Sequence, residues 1–83
     1  ASMVQYSLMS YTFQIVLRPE PEGGYTVLVP SLPGCVTYGE TIEDAHKMAQ
    51  EAIELYVESM KAHNEKVVDD THTFDSRIQI AVA

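Results

Sequence analysis

An 83-residue chain with 46% apolar residues has the length and composition of one domain with one core. Twelve acidic residues against five basic ones give a net charge of −7, a surface that repels phosphate backbones, so direct nucleic-acid binding by this chain is not expected. No apolar run approaches the roughly 20 residues that span a bilayer, and the first residues lack the basic flank and apolar stretch of a secretory signal, so no membrane association is expected.

At this size a domain buries only about 60–65% of its unfolded surface, so its margin is thin and self-association would help to stabilise it. A homo-oligomer is expected on that ground. Cys35 is the single cysteine. It has no internal disulfide partner, which suits a reducing, cytoplasmic setting. The same negative charge attracts a basic protein and speeds its encounter.

Ala1-Ser2 ahead of Met3 reads as a cloning remnant, leaving residues 3–83 as a single domain. From Met3 to Met9, Val4, Tyr6 and Leu8 alternate with Gln5 and Ser7, the pattern of an extended segment that lengthens the first strand or crosses to a neighbouring chain. Tyr11 to Arg18 is the first firm strand, with Tyr11, Phe13, Ile15 and Leu17 on one face. Pro19-Glu20-Pro21-Glu22-Gly23-Gly24 follows as a hairpin loop with a solvated acidic tip. Tyr25 to Pro30 is the second strand, ended by a proline that has no N–H for the ladder. Pro33-Gly34 is a turn, and Cys35 to Tyr38 is a third, short strand. Short links predict an antiparallel meander of these three strands.

A helix is predicted from about Ile42, with Thr41 as its cap and Asp44 three residues on in the manner of a capping box. Ala45, Ala49, Ala52, Tyr56 and Met60 form its apolar stripe, widened by Met48, Ile53 and Val57. It is expected to end between Met60 and Asn64, since asparagine tolerates the left-handed cap. Glu65 to Ser76 reads as a polar connection pinned by Val67-Val68 and Phe74. Ile78, Ile80 and Val82 alternate with Arg77, Gln79 and Ala81 as a last strand, placed parallel to its partner by a right-handed crossover. The predicted class is α+β, in the order βββαβ, with one amphipathic helix packed on a small mixed sheet.

The residues offer little for catalysis. His46, His63 and His72 lack the i, i+4 spacing of helical zinc ligands, and a single cysteine cannot complete a site, so no cofactor or metal is expected. Cys35 opens a strand, where a buried thiol acting as a small hydrophobe is the ordinary case. Asp69-Asp70 with Glu20 or Glu22 could be imagined as a two-metal carboxylate cluster, but Tyr11 to Leu17 and Tyr25 to Val29 carry no Asp or Glu. There is no phosphate loop and no basic patch with aromatic platforms. The reading is a binding protein, not an enzyme.

The run Gly23-Gly24-Tyr25-Thr26-Val27-Leu28-Val29-Pro30-Ser31-Leu32-Pro33-Gly34-Cys35-Val36-Thr37-Tyr38-Gly39-Glu40-Thr41, followed by Glu43-Asp44-Ala45 and a long amphipathic helix, resembles the HicB-like antitoxin family. The resemblance covers roughly Phe13 to Met60. It implies a shortened ribonuclease-H-like fold and a binding partner of the HicA type, a small basic ribonuclease toxin that the antitoxin occludes. Gly23, Gly24, Pro30, Pro33, Gly34 and Gly39 match the family's turns, Tyr25, Val27, Val29 and Cys35 its strands, and Thr41 and Ala45 its helix start. For toxin contact the expected residues are Glu20 and Glu22 at the hairpin tip and the turn face around Ser31, Tyr38, Gly39 and Glu40. A free sheet edge is another candidate surface. Longer members often continue into a DNA-binding domain; nothing of that kind is expected within these 83 residues. The alternative reading is a solo homo-oligomeric scaffold or regulator without a toxin.

Overall fold

A computed structural model describes residues 10–83. The expectation for residues 3–9 lies outside the described residues. Three strands, β1 (Val16–Pro19), β2 (Tyr25–Leu28) and β3 (Val36–Gly39), form an antiparallel sheet in the order β1-β2-β3, and α1 (Ile42–Ala62) lies across it. Gly23 and Gly24 both take positive φ, 105° and 80°, and close the β1–β2 hairpin, with the Glu20 N–H donating to Gly24 O at 2.9 Å.

The first two strands are shorter than their sequence patterns, whereas β3 keeps the expected length one residue further on. In antiparallel register residue 14 falls opposite Pro30, which cannot donate, so the ladder stops at the Val16–Leu28 pair. The alternation itself holds across the full predicted length: Ile15 and Leu17 pack on the core while Val16 and Arg18 are exposed. Past Pro30 the chain folds into a compact turn, in which Leu32 N–H donates to Val29 O and Cys35 N–H to Leu32 O, at 3.0 and 2.9 Å.

The helix begins and ends for local reasons. Thr41 is the N-cap, its hydroxyl accepting from Asp44 N–H at 3.0 Å, while the Asp44 carboxylate reaches back to the Glu40 N–H, one residue before the cap. Such a cap stabilises a helix by about 1 kcal/mol. At the other end Asn64 is left-handed (φ 56°). Glu65 N–H then donates to Met60 O and Asn64 N–H to Lys61 O, the two bonds that close a helix against a left-handed residue.

The core lies between the helix and β2 and β3. Val27, Ala45 and Ala49 are buried together, with Ile15, Leu17 and Tyr25 against them. A second cluster joins Val29, Leu32 and Cys35 to Phe13, Ile53, Tyr56, Val57 and Met60. Burying side chains as fully as Val27 and Leu32 contributes about 1.5–3 kcal/mol each. Tyr56 ties the helix to the turn, its hydroxyl donating to Pro33 O at 2.7 Å.

Two expectations are corrected. The sheet is antiparallel throughout, not mixed: residues 77–83 pair with no described residue, and Ile78, Ile80 and Val82 stand exposed on an arm that stretches the molecule to 68 × 27 × 26 Å. Nor do Val67-Val68 and Phe74 jointly hold the connection to the body, since Val68 and Phe74 are exposed and Phe74 is 97% accessible. Asp69 and Asp70 hold it instead. Asp70 N–H donates to Thr12 O (2.7 Å), Asp69 Oδ2 accepts from Thr12 N–H (2.8 Å), and Asp70 Oδ2 accepts from Gln14 N–H (2.9 Å). These carboxylates satisfy strand N–H groups left without a β2 partner once Pro30 has ended the ladder.

Candidate partner-binding surface

The pairing of Tyr25 with Gly39 brings the end of β3 beside the β1–β2 hairpin, and with it the start of α1. Glu20, Glu22, Tyr38, Gly39 and Glu40 therefore share one end of the molecule. Glu22 is exposed at the tip, and the Glu20 carboxylate accepts from the Thr26 hydroxyl. Tyr38 is half exposed and lies across Gly24, its hydroxyl donating to Gly23 O at 3.0 Å. A Cβ on Gly24 would fall 1.8 Å from that hydroxyl oxygen, so the glycine is what lets the ring lie flat on the hairpin.

Gly39 belongs to this end but does not face outward. It is buried, and a Cβ there would stand 2.3 Å from Ala45 N, so its part is to let the helix close on the sheet. Glu40 is exposed beside it, followed by Glu43 and Asp44 in the first turn of the helix. Between Arg18 and Lys47 the chain carries no lysine or arginine. The hairpin and helix start thus present five carboxylates, Glu20, Glu22, Glu40, Glu43 and Asp44, without a cation in that stretch.

Ser31 lies elsewhere. It sits past the opposite end of β2, and its hydroxyl donates to Asp70 Oδ1 at 2.6 Å. Asp70 is 8% exposed and accepts from Gln14 N–H and Ser31; these bonds hold its carboxyl below the usual carboxylate range. Asp69 is lowered in the same direction, first by the Thr12 N–H and then by the Thr71 hydroxyl. The sequence reading passed over this clamp. Its signal was present in Asp69-Asp70-Thr71-His72-Thr73, a run of short polar side chains suited to bonding backbone within two residues.

The imagined carboxylate cluster does not assemble. Asp69 and Asp70 bind beside Thr12 and Gln14, whereas Glu20 and Glu22 lie beyond the other end of β1. Among the described residues no three His, Cys, Asp or Glu side chains are placed to hold a metal ion. His46 and His72 are exposed, and His63 sits at the helix C-cap with Nδ1 2.7 Å from Ser59 O. Cys35 is buried, and that burial pushes its thiol up, away from the reactive thiolate. No helix among the described residues is long and apolar enough to cross a membrane.

A second surface lies along the helix. A groove of about 790 Å³ runs between α1 and the stretch leading into β1, floored by Phe13, Ile15, Ala49, Ile53 and Val57 and rimmed by polar side chains that include Glu54 and Glu58. At its end Lys61 Nζ stands 5.3 Å from the Tyr11 ring centroid, a cation–π contact.

Comparison with known proteins finds relatives over most of the chain. A UPF0150 protein of Thermoplasma acidophilum is 45% identical over 62 residues, covering 75% of this chain and 87% of that protein. The protein named Antitoxin HicB 1 of Photorhabdus laumondii is 33% identical over 63 residues, 76% of this chain but 41% of the longer relative. The one named Antitoxin HicB of Escherichia coli is 39% identical over 41 residues, 49% of this chain and 30% of that protein. Residues 13–80 match the family described as the HicB-like antitoxin of bacterial toxin–antitoxin systems. A match over that much of the chain shows that the chain belongs to the HicB-like antitoxin family.

Proposed function

We propose that this chain is a non-enzymatic antitoxin module of the cytoplasm that neutralises a HicA-type ribonuclease toxin by binding it and occluding its RNA-cleaving site. The observation that carries the reading is the acidic end formed by the hairpin and the helix start, five carboxylates in a stretch with no lysine or arginine between Arg18 and Lys47. Such a surface competes with RNA for a basic protein because it offers carboxylates where RNA offers phosphates. Family membership supports the antitoxin role. Contact residues on this reading are Glu20, Glu22, Tyr38 and Glu40. Gly39 acts by positioning the helix, and Ser31 acts through the Asp70 clamp.

The test is co-expression with a small basic ribonuclease encoded beside this gene. A one-to-one complex that no longer cleaves RNA is the expected result. Charge reversal of the exposed Glu22 and Glu40 to lysine should slow association about tenfold or more while leaving the fold intact. A ribonuclease that stays fully active with this protein in excess would end the proposal and favour the solo, self-assembling reading, which the exposed apolar arm supports.

A further inference from the structure

The outer edge of β1, unpaired among the described residues, and the apolar arm call for each other. The Glu20–Gly24 bond makes that pair hydrogen-bonded, so by alternation Arg18 and Val16 also point their backbone groups toward β2. Those of Leu17, and of Ile15 beyond it, point the other way, and no described residue pairs with them there. On the helix side of that edge lies the groove floored by Phe13, Ile15, Ile53 and Val57. An edge of this kind, bordered by apolar surface, is a template for another strand.

The chain carries a strand of the right kind. Ile78, Ile80 and Val82 are 86%, 76% and 83% exposed and share one face by alternation, and residues 78–83 hold no charged side chain. Ten extended residues, 74–83, reach about 33 Å, which accounts for the long axis of the molecule. The arm does not lie along its own β1. Residues 75–77 pass beside Gln14–Leu17 across an open space, and the chain then leaves the body.

We propose that two copies of this chain exchange arms. Residues 77–83 of each add as a strand to the β1 edge of the other and seat Ile78, Ile80 and Val82 in its groove. The occupant is a second copy because donor and acceptor lie on the same chain and residues 78–83 stand exposed and unpaired on their own body, which is what a two-fold exchange requires. Register parity is fixed: a slip of one residue would put Arg77, Gln79 and Ala81 against the groove in place of the apolar set. This surface is separate from the acidic end, so the proposal stands whether or not a toxin exists.

The experiment is light scattering on the intact chain at about 100 µM, well above a micromolar Kd, with Ile80→Glu beside it. Ile80 is exposed on the single chain, so the variant should fold, as helical circular dichroism will report. The expected result is twice the 9.3 kDa chain mass for the parent. For Ile80→Glu, the dimer Kd should rise by at least about a hundredfold, since both seats are lost. In a mixture of isotope-labelled and unlabelled protein, Ile80 methyls should give cross-peaks to Ile53 and Val57 between chains. A monomeric parent, a dimer indifferent to Ile80→Glu, or cross-peaks confined to one chain would each overturn the proposal. So would an arm that becomes protected only when a basic ribonuclease is added.

Discussion

Gly39 is where helix and sheet come closest. A methyl group there would meet Ala45 N at 2.3 Å, Ala45 Cα at 2.4 Å and Asp44 C at 2.8 Å. All three are backbone atoms in the first turn of α1, so no side chain can swing aside and the helix itself must lift. Gly39→Ala should therefore destabilise the fold by about 2 kcal/mol, within the range for overpacked cores. That corresponds to a fall in Tm of roughly 10 °C in a thermal melt; an unchanged Tm would mean that the helix start has room to move. In the sequence Gly39 reads as one of the turn glycines, which is a local reason. Its stronger reason is a contact across the fold, and no pattern of neighbours along the chain reveals that distance. Leu32 is similar: between Ser31 and Pro33 it looks like loop, yet it is 1% exposed and nucleates the second core cluster. Ala45 and Ala49, by contrast, were legible, because helical spacing of small residues already implies a close-packed face.

At the scale of elements, the caps and turns were readable because their chemistry is local. Thr41, Asn64 and the Gly23-Gly24 turn all act within a few residues of themselves. The Asp69–Asp70 clamp was readable only as a run of short polar side chains; its partners were not, because they lie more than fifty positions away. It carries a pH signature. The Asp70 carboxyl is held below its usual range in the folded chain by Gln14 N–H and Ser31, so the charged form favours folding. That contribution is complete above the unfolded value near 4 and is lost as the pH falls from there through the folded value. Asp70→Asn should lower the urea midpoint at neutral pH. It should also flatten the fall seen in the parent below about pH 4, so that the two proteins converge in acid. Equal separation of the midpoints at both extremes would show that the clamp acts through shape and not charge.

For the whole molecule, the net charge of −7 includes five carboxylates where the hairpin and helix start meet, and on the proposed function this makes association with a basic protein a salt-sensitive rate. The screening length falls from about 10 Å at 0.1 M salt to about 3 Å at 1 M. Stopped-flow mixing with a basic ribonuclease should therefore show an association rate that drops steeply with ionic strength while the dissociation rate changes little. A flat salt dependence would move the contact away from the acidic end. Composition foretold this much of the surface. It also foretold the alternation of Ile78, Ile80 and Val82, but not their place, since alternation fixes a face and says nothing of which edge receives it. The chain's order adds a consequence in time. β1, β2, β3 and α1 each touch the element next to them along the chain, so the body closes through local contacts, which form quickly. Synthesis at about 5–20 residues per second delivers the residues after Ala62 only on the order of seconds later. The strands and helix of the body thus lie ahead of the arm in the order of synthesis, and on the exchange proposal the receiving edge is made before the strand that fills it.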